Sequence, residues 1–265
     1  MQNEQNTLPI TRELIGVNLL ERYTGSGVNE FKKYVILTNF TSYLELFAEF
    51  TKARVHHGSV MSTCHDDKTN ISIINYGVGS PVAALVVDLL SFVNAKATIN
   101  LGLCGGLRDN FKIGEYFNPV AAIREEGTSM AYMPPRCPAL SSFIIQRFIC
   151  EELERRNLIY HDGVIHTTNV RFWEFNEHFK KQLIEEKAQA IDMECATLFT
   201  VGFAFKVPVG ALMLITDLPL KLSGIKTKAS SEMVFKEYAK SHVEIAINVL
   251  RNMQKKENEG FNYHF

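Results

Sequence analysis

Polar and glycine-rich residues follow apolar runs at three places in the chain, and their residue types suit small-molecule chemistry. The three segments are residues 104–108 (CGGLR), 192–194 (DME) and 216–219 (TDLP). In open α/β sheets, ligands bind in the crevice at the carboxyl ends of the strands. We therefore expect a glycine hairpin, an acidic pair and a single aspartate to meet in one site.

The best candidate for acid chemistry is Asp217, which follows the apolar run 207–215. A carboxyl group at the end of a buried strand is partly desolvated, which raises its pKa and lets it hold a proton near neutrality. A protonated aspartate can act as a general acid that donates its proton to a departing group. Aspartate before a proline turn is also a common structural residue, so both roles remain open from these residues alone.

Glu194 and Met193 form a second candidate group at the start of a predicted helix, residues 195–205. The Glu194 carboxylate could accept hydrogen bonds from both the 2′- and 3′-hydroxyls of a ribose. Met193 would pack on the apolar face of the sugar. The alternative is an acid favoured by the helix dipole, and Asp192 fits that role better than Glu194.

Together the segments resemble the nucleoside phosphorylase and nucleosidase superfamily, and within it the AMP nucleosidases. Further matching segments are residues 22–25 (RYTG), 75–79 (NYGVG), 133–135 (MPP), 173–174 (WE) and 225–226 (IK). The resemblance extends from about Arg22 to the final helix. It implies that Asp217 is the catalytic acid and that Met193 and Glu194 bind ribose. It also implies a homo-oligomer, a hexamer, that acts on a small-molecule substrate without a cofactor.

The base pocket is expected near Phe172 and Trp173, in the region where related enzymes place an aromatic ring under the purine, with Cys104 and Gly105 of the hairpin beside it. Stacking of a base on an aromatic ring contributes about 1–3 kcal/mol. Ordinary core packing is the alternative for either aromatic residue. Trp173 is the single tryptophan, and Trp173-Glu174 matches the AMP nucleosidase pattern.

The resemblance also bears on the attacking group. Phosphorylases of this superfamily bind free phosphate with an arginine after the first strand and another before the hairpin. Here residues 37–43 (LTNFTSY) contain no arginine, and Asn100 precedes the hairpin. A phosphate dianion without guanidinium partners is poorly held. We therefore predict hydrolysis, with Asn39 or Glu45 positioning the water.

The predicted substrate is AMP, which yields adenine and ribose 5-phosphate, and its 5′-phosphate needs a cationic partner. Arg22 and Thr24, within residues 21–27 (ERYTGSG), form one candidate cradle, which could reach the site of a neighbouring subunit. Lys226, with Lys228, is a second. Residues 54–57, which hold Arg54 and two histidines, are a third. Each group alone would also suit a solvated surface, and the resemblance favours the first two.

Three other functions stay open. A nucleosidase for methylthioadenosine, adenosylhomocysteine or futalosine would lack the phosphate-binding cations. A purine nucleoside phosphorylase is disfavoured by Asn100. A non-catalytic nucleotide-binding module is disfavoured because binding alone does not require both Glu194 and Asp217.

The elements that position these residues alternate between strands and helices. Predicted strands are residues 34–37, 71–76, 97–103, 120–123, 163–167 and 207–215. Predicted helices pass through 44–47 and cover 82–92, 140–156, 175–186, 195–205 and about 231–255, with Thr11 capping a short helix in an otherwise irregular start. The alternation predicts an α/β fold, a three-layer αβα sandwich with a mostly parallel mixed sheet. We expect one nucleoside phosphorylase-like domain over residues 1–265, with about 1–33 as an N-terminal extension.

Composition excludes several classes of protein. The 265 residues are 46% hydrophobic and carry a net charge of −1, which gives no electrostatic case for nucleic acid binding. The five cysteines show no metal-ligand spacing, so we predict no metal site and buried thiols in a reducing cytoplasm. The amino-terminal residues lack a signal-peptide pattern, and no apolar stretch reaches membrane-span length.

Overall fold

The computed structural model describes residues 10–262, which form a mixed β-sheet with helices on both faces. The strands are β1 Tyr34–Thr38, β2 Val55–His57, β3 Ser62–Asp66, β4 Ile71–Asn75, β5 Ala97–Gly106, β6 Tyr116–Arg124, β7 Ala139–Leu140, β8 Tyr160–Thr167, β9 Ala190–Asp192 and β10 Val209–Asp217. The helices are α1 Arg12–Thr24, α2 Thr41–Thr51, α3 Ser80–Leu90, α4 Phe143–Arg155, α5 Glu177–Glu185, α6 Cys195–Phe205 and α7 Lys228–Asn258. Short 3-10 turns lie at Val28–Glu30, Thr128–Ala131 and Leu222–Gly224.

The sheet has the order β10-β6-β8-β9-β5-β1-β4-β3-β2, and β7 pairs with β6. Because β10 also pairs with β5, the strands β5, β10, β6, β8 and β9 close into a ring. The two longest ladders, β5 with β10 and β6 with β8, are parallel, whereas β2, β3 and β9 pair antiparallel to their neighbours in the β2–β3–β4 and β5–β9 ladders. The predicted α/β fold with a mixed central sheet is therefore confirmed.

Strand β1 shows why the sheet is covered on both faces. All five of its residues are buried, and successive side chains of a strand point to opposite faces. Val35 and Leu37 pack in a cluster with α3 and α6, whereas Tyr34 and Ile36 pack in a second cluster with α2, α4 and α7. Continuous apolar runs are typical of parallel strands buried on both sides, and this pattern made the central strands predictable.

The register of β5 brings the three polar segments together. Gly105 pairs with Asp217 of β10 on one side and with Ile191 of β9 on the other. The 104–108 hairpin therefore lies between the aspartate segment and the Asp-Met-Glu segment, as the strand-end argument predicted.

Several element boundaries differ from the sequence-based expectation. Strands β2 and β3 were not predicted, because both are short and lack an apolar run. Strand β6 begins at Tyr116 rather than residue 120, and its register shifts between Pro119 and Ala121. Helix α4 begins at Phe143 rather than residue 140, because residues 139 and 140 form β7. Helix α1 has 13 residues, longer than the short helix expected, and Thr11 caps it through a bond from the Leu14 amide.

Among the helices within residues 10–262, none combines the length and the apolar character that crossing a membrane requires.

Candidate active site

A cavity lies at the carboxyl ends of β1, β5, β9 and β10 and is bounded by the segments that follow β4 and β8. Eight of the twelve predicted site residues line it: Asn39, Cys104, Gly105, Trp173, Met193, Glu194, Asp217 and Lys226. Four are not among its lining residues: Arg22, Thr24, Glu45 and Phe172. The structure thus joins the candidate acid, the acidic pair and one aromatic residue in a single cavity.

Asp217 is the last residue of β10, and its carboxyl group is held by its neighbour. The Thr216 hydroxyl donates to Asp217 Oδ1 at 2.7 Å, and the Lys226 ammonium donates to the same hydroxyl oxygen at 3.3 Å. Burial raises the pKa of Asp217, although the Thr216 hydrogen bond and the charges of Lys226 and Arg171 oppose that shift. The protonated acid is therefore favoured more than in a solvated aspartate.

Lys226 lies beside this acid. Burial lowers the pKa of Lys226, and the neighbouring Asp217 carboxylate partly restores it. Sequence analysis predicts that Lys226 binds the substrate phosphate, and the structure shows in addition that its ammonium hydrogen bonds to the Thr216 hydroxyl.

Glu194 is fixed at the start of α6 and is almost fully buried. Its Oε1 accepts a hydrogen bond from the Gly79 amide at 2.8 Å. Gly79 has a φ of 103°, which L side chains rarely adopt, so glycine is needed where the chain presents this amide. Burial and the Asp192 charge raise the pKa of Glu194, and the Gly79 amide opposes the shift.

Asp192 performs the structural role that was the alternative for this acidic pair. Its Oδ2 accepts the amides of Glu194 and Cys195 at 3.1 and 2.7 Å, and its Oδ1 accepts the Thr167 hydroxyl at 2.7 Å. Both of its oxygens are therefore occupied within the protein. The Glu194 carboxylate makes fewer bonds, and it lines the cavity together with Met193.

The two predicted aromatic residues lie in different environments. Trp173 is 6% exposed, lines the cavity and packs edge-to-face on Phe179 at 5.4 Å between ring centroids. Phe172 is 79% exposed and packs on Phe175. Trp173 also belongs to a small apolar cluster with Ile191, so it combines core packing with a position at the cavity wall.

The hairpin residues are closely packed. A Cβ on Gly105 would lie 2.8 Å from Pro219 Cγ and 3.1 Å from Ile191 Cγ2, so the 216–219 turn fits only against glycine. Burial raises the pKa of the Cys104 thiol well above its usual range, which keeps this cavity residue neutral.

Of the two candidate water-positioning residues, Asn39 lines the cavity and Glu45 does not. Asn39 follows β1 and lines the cavity, and its side chain opposes the burial that raises the pKa of Glu194. Asn39 Oδ1 is enclosed and has no hydrogen-bond partner among residues 10–262. Glu45 lies on α2 with an exposed side chain and does not line the cavity.

The amino-terminal phosphate candidates lie away from the cavity of their own chain. Arg22 is in the last turn of α1, with its guanidinium over the Tyr23 ring at 4.9 Å. Thr24 is completely buried, and its hydroxyl donates to the Leu20 carbonyl at 2.6 Å. The Thr24 hydroxyl is thus already used inside the protein, whereas the Arg22 side chain is not enclosed.

Two charged residues of the cavity lining, Arg171 and Glu174, were not among the candidate side chains considered from the sequence. The Arg171 guanidinium donates to Glu174 Oε1 at 2.9 Å. Both follow β8 and flank the predicted aromatic pair, and the match at Trp173-Glu174 was the available signal. With Lys226, Arg171 is one of two lysine or arginine residues that line the cavity in the described part of the chain.

Asn100 is buried beneath the site rather than exposed in it. The Tyr76 hydroxyl donates to Asn100 Oδ1 at 3.1 Å, and both side chains are at most 1% exposed. Asn100 occupies the position at which we expect a phosphate-binding arginine in a phosphorylase. It is therefore a buried, uncharged residue that is hydrogen-bonded to the Tyr76 phenol.

One group with metal-ligand spacing occurs among the described residues, away from the cavity lining: Glu125, His166 and Glu186. His166 is fully buried with Nδ1 2.8 Å from Glu186 and Nε2 3.0 Å from Glu125. Gln182 donates to both carboxylates. The cluster therefore ties α5, which carries Gln182, to β8.

Comparison with solved structures gives two informative similarities. An AMP nucleosidase from Bacteroides thetaiotaomicron superposes with a TM-score of 0.83 at 38% identity, covering 94% of this chain and all of that one. A uridine phosphorylase from Vibrio fischeri superposes with a TM-score of 0.74 at 22% identity, covering 86% of this chain and 93% of that one. The second likeness concerns the fold alone.

Sequence comparison finds curated relatives in both reaction classes. AMP nucleosidase of Escherichia coli is 25% identical over 87% of this chain, which spans 57% of that protein's length. A guanosine phosphorylase of Halorubrum lacusprofundi is 28% identical over 70% of this chain and 76% of its own. A profile of the phosphorylase superfamily matches residues 33–252, and the chain belongs to that superfamily.

Proposed function

We propose that this chain is an AMP nucleosidase, a hydrolase that cleaves the N-glycosidic bond of AMP to adenine and ribose 5-phosphate. The observation that carries the proposal is that one cavity brings together Asp217, a partly buried acid with a raised pKa, and Glu194, a buried carboxylate at the position that we assign to ribose binding. The 38% identity to the Bacteroides AMP nucleosidase over nearly the whole chain supports AMP as substrate.

Asp217 acts as the general acid in this proposal. Its proton passes to N7 of adenine while the bond between N9 and the sugar C1′ breaks, and the bonding electrons leave with the base. The Thr216 hydroxyl holds Oδ1, which leaves Oδ2 to carry the proton. Lys226 then stabilises the aspartate that forms, because its ammonium is linked to the carboxylate through Thr216.

Glu194 and Met193 hold the ribose. The Gly79 amide occupies Glu194 Oε1, and the 2′- and 3′-hydroxyls supply the remaining donors. Hydrogen bonds to a charged carboxylate lower its pKa, so the bound sugar offsets the burial that raises the pKa of Glu194. The charged Glu194 carboxylate then stabilises the positive charge that develops at C1′.

Water is the attacking group. Asn39 is the proposed positioning residue, because its side-chain oxygen is enclosed at the cavity and lacks a partner within residues 10–262. The water adds its hydroxyl to C1′, and the proton that it releases restores the acid form of Asp217. The neutral Tyr76–Asn100 pair gives no cation for a competing phosphate dianion.

The 5′-phosphate needs cations, and the chain offers two sources. Lys226 lines the cavity itself. Arg22 lies outside it and would serve the site of a neighbouring copy in a homo-oligomer, for which we propose a hexamer. The Thr24 hydroxyl donates to the Leu20 carbonyl, so Thr24 would contribute only by supporting the segment that carries Arg22.

We further propose a single catalytic domain over residues 1–265, a cytoplasmic location and a role in purine salvage and AMP catabolism. Support comes from the five free cysteines, three of them buried, and from relatives that act on nucleosides and nucleotides. The proposed chemistry uses acid catalysis and hydrogen bonding, without a cofactor.

The decisive experiment incubates purified protein with AMP, adenosine or methylthioadenosine, in the absence and presence of excess phosphate, and identifies both products. We expect adenine and ribose 5-phosphate from AMP, and no change of sugar product when phosphate is added. Ribose 1,5-bisphosphate as the main product would make the chain a phosphorylase. Preferred cleavage of methylthioadenosine would replace AMP with a substrate that lacks a phosphate.

A further inference from the structure

Glu174 carries a carboxylate oxygen that the protein leaves unused. The residue lines the cavity and is 4% exposed. Its Oε1 accepts the Arg171 guanidinium at 2.9 Å, whereas Oε2 is shielded from solvent and has no hydrogen-bond partner within residues 10–262. Most buried polar atoms are hydrogen-bonded, and an unpaired one costs about 1–3 kcal/mol. A donor supplied by a ligand would remove that cost.

The position of Glu174 indicates which part of a ligand it meets. It neighbours Trp173, the aromatic residue at the cavity wall, and it lies close enough to Asp217 for its charge to raise the pKa of that acid. In the proposed reaction Asp217 donates to N7 of the base. Glu174 is therefore placed near the same edge of the purine.

That purine edge differs between adenine and guanine. Adenine presents N7 as an acceptor and its 6-amino group as a donor, whereas guanine presents two acceptors, N7 and O6. Hypoxanthine also carries an oxygen at position 6. An ionised carboxylate can only accept, so it suits an amino group and opposes a carbonyl oxygen.

We propose that Glu174 Oε2 accepts a hydrogen bond from the 6-amino group of the base and selects 6-aminopurine over 6-oxopurine nucleotides, an inference that rests on the proposed function. The Arg171 guanidinium holds Oε1 through its hydrogen bond, so that Oε2 is the oxygen left for the base. Glu174 is a specificity-determining residue in this arrangement, and Asp217 remains the acid.

The test compares kcat/KM for AMP and for inosine 5′-monophosphate in the wild type and in Glu174→Gln. We expect the wild type to prefer AMP by at least about 100-fold, because the wrong base places two acceptors together. The glutamine amide can donate to O6, so the AMP preference should fall at least about tenfold, with inosine 5′-monophosphate used as well as before or better.

Glu177→Gln is the matched control. Glu177 starts α5 only three residues along the chain, is highly exposed and pairs with Lys180, so its variant should keep the wild-type preference. If Glu174→Gln lowers kcat/KM for both nucleotides by the same factor, Glu174 only supports the loop and the specificity role is refuted.

A binding measurement separates this inference from the proposed function. Calorimetry with free adenine and free hypoxanthine needs no hydrolysis. If the wild type cleaves neither nucleotide, the proposed function fails, but tighter binding of adenine that Glu174→Gln abolishes would still support the base contact. Equal binding of both bases by the wild type would overturn it.

Discussion

Thr216 donates its hydroxyl hydrogen to Oδ1 of Asp217 at 2.7 Å, so the residue before the acid fixes its orientation. An undistorted strand would turn these neighbouring side chains to opposite faces. The register of β10 against β5 shifts between Ile215 and Asp217, and this irregularity lets the two side chains meet. The break in the ladder thus lies at the residue to which we assign the chemistry, as bulges near active sites often do.

The first prediction concerns Asp217→Asn. The amide oxygen can still accept from Thr216, but the side chain cannot deliver a proton to N7. Because general acid catalysis contributes about 10²–10⁴-fold, kcat for AMP should fall on that scale while the Kd for AMP changes little. Steady-state kinetics and calorimetry would measure both.

Asp67→Asn provides the control for the same chemical change. Asp67 is highly exposed and pairs with Lys32, so its variant should retain full activity. An Asp217→Asn enzyme with more than about a third of wild-type turnover would be too active for loss of an essential acid.

The second prediction concerns stability and pH. Burial raises the pKa of Asp217 in the folded protein above that in the unfolded chain. The folded state therefore binds the proton more tightly, and the wild type should lose stability as pH rises from the unfolded pKa, about 4, through the raised folded pKa. Asparagine does not titrate, so Asp217→Asn should gain Tm relative to the wild type as pH rises.

Thermal melts of the two proteins at a series of pH values between 4 and 9 would measure this difference. Glu194→Gln should behave in the same direction, because burial and Asp192 raise the pKa of Glu194. If the Tm of a variant minus the Tm of the wild type stays constant or falls as pH rises, the sign of the corresponding pKa shift is contradicted.

The third prediction concerns Arg22. If it binds the phosphate of a neighbouring copy, Arg22→Ala should weaken kcat/KM for AMP by roughly 2–4 kcal/mol, the scale of a lost charge-assisted contact. Adenosine lacks the phosphate and should be nearly unaffected. Lys226→Ala gives the parallel measurement for a cation inside the cavity, although loss of its contact with Thr216 should slow adenosine cleavage as well.

Subunit mixing tests where Arg22 acts. In a mixed assembly of Arg22→Ala and Asp217→Asn subunits, some sites would combine an intact Asp217 with an intact Arg22 from the neighbour. We expect such mixtures to recover activity on AMP that neither variant has alone. Equal effects of Arg22→Ala on AMP and adenosine would remove its phosphate role.

The central strands and the site were predictable for the same physical reason. Buried parallel strands leave continuous apolar runs, and their polar ends mark the ligand-binding edge. This pattern placed Asp217, Glu194 and the Gly105 hairpin at one cavity. It could not identify β2 and β3, because residues 55–57 and 62–66 lack an apolar run.

Side-chain partners were less predictable than strand ends. The sequence does not show that the Thr24 hydroxyl bonds Leu20 rather than a ligand, or that Trp173 turns inward while Phe172 stays exposed. Those outcomes depend on the chain path after β8 and on packing between distant segments. Arg171 and Glu174 were missed for this reason, since charged residues in a loop are more often solvated.

The last prediction concerns the packing of Gly105. A methyl group there would lie 2.8 Å from Pro219 Cγ, 3.0 Å from Pro219 Cδ and 3.1 Å from Ile191 Cγ2. Because the proline ring is rigid, Gly105→Ala should displace the turn that follows Asp217. Overpacking of this kind costs about 1–3 kcal/mol of unfolding free energy. Turnover should fall as well, since the proposed acid and the strand that leads into the proposed ribose-binding residues both pair with this hairpin. Gly27→Ala is the matched control, because its added methyl group would come no closer than 3.6 Å to a neighbouring atom. Denaturant unfolding of both variants and kcat for AMP would measure the two effects. A Gly105→Ala protein as stable and as active as Gly27→Ala would show that the turn after Asp217 can move without loss of the catalytic arrangement.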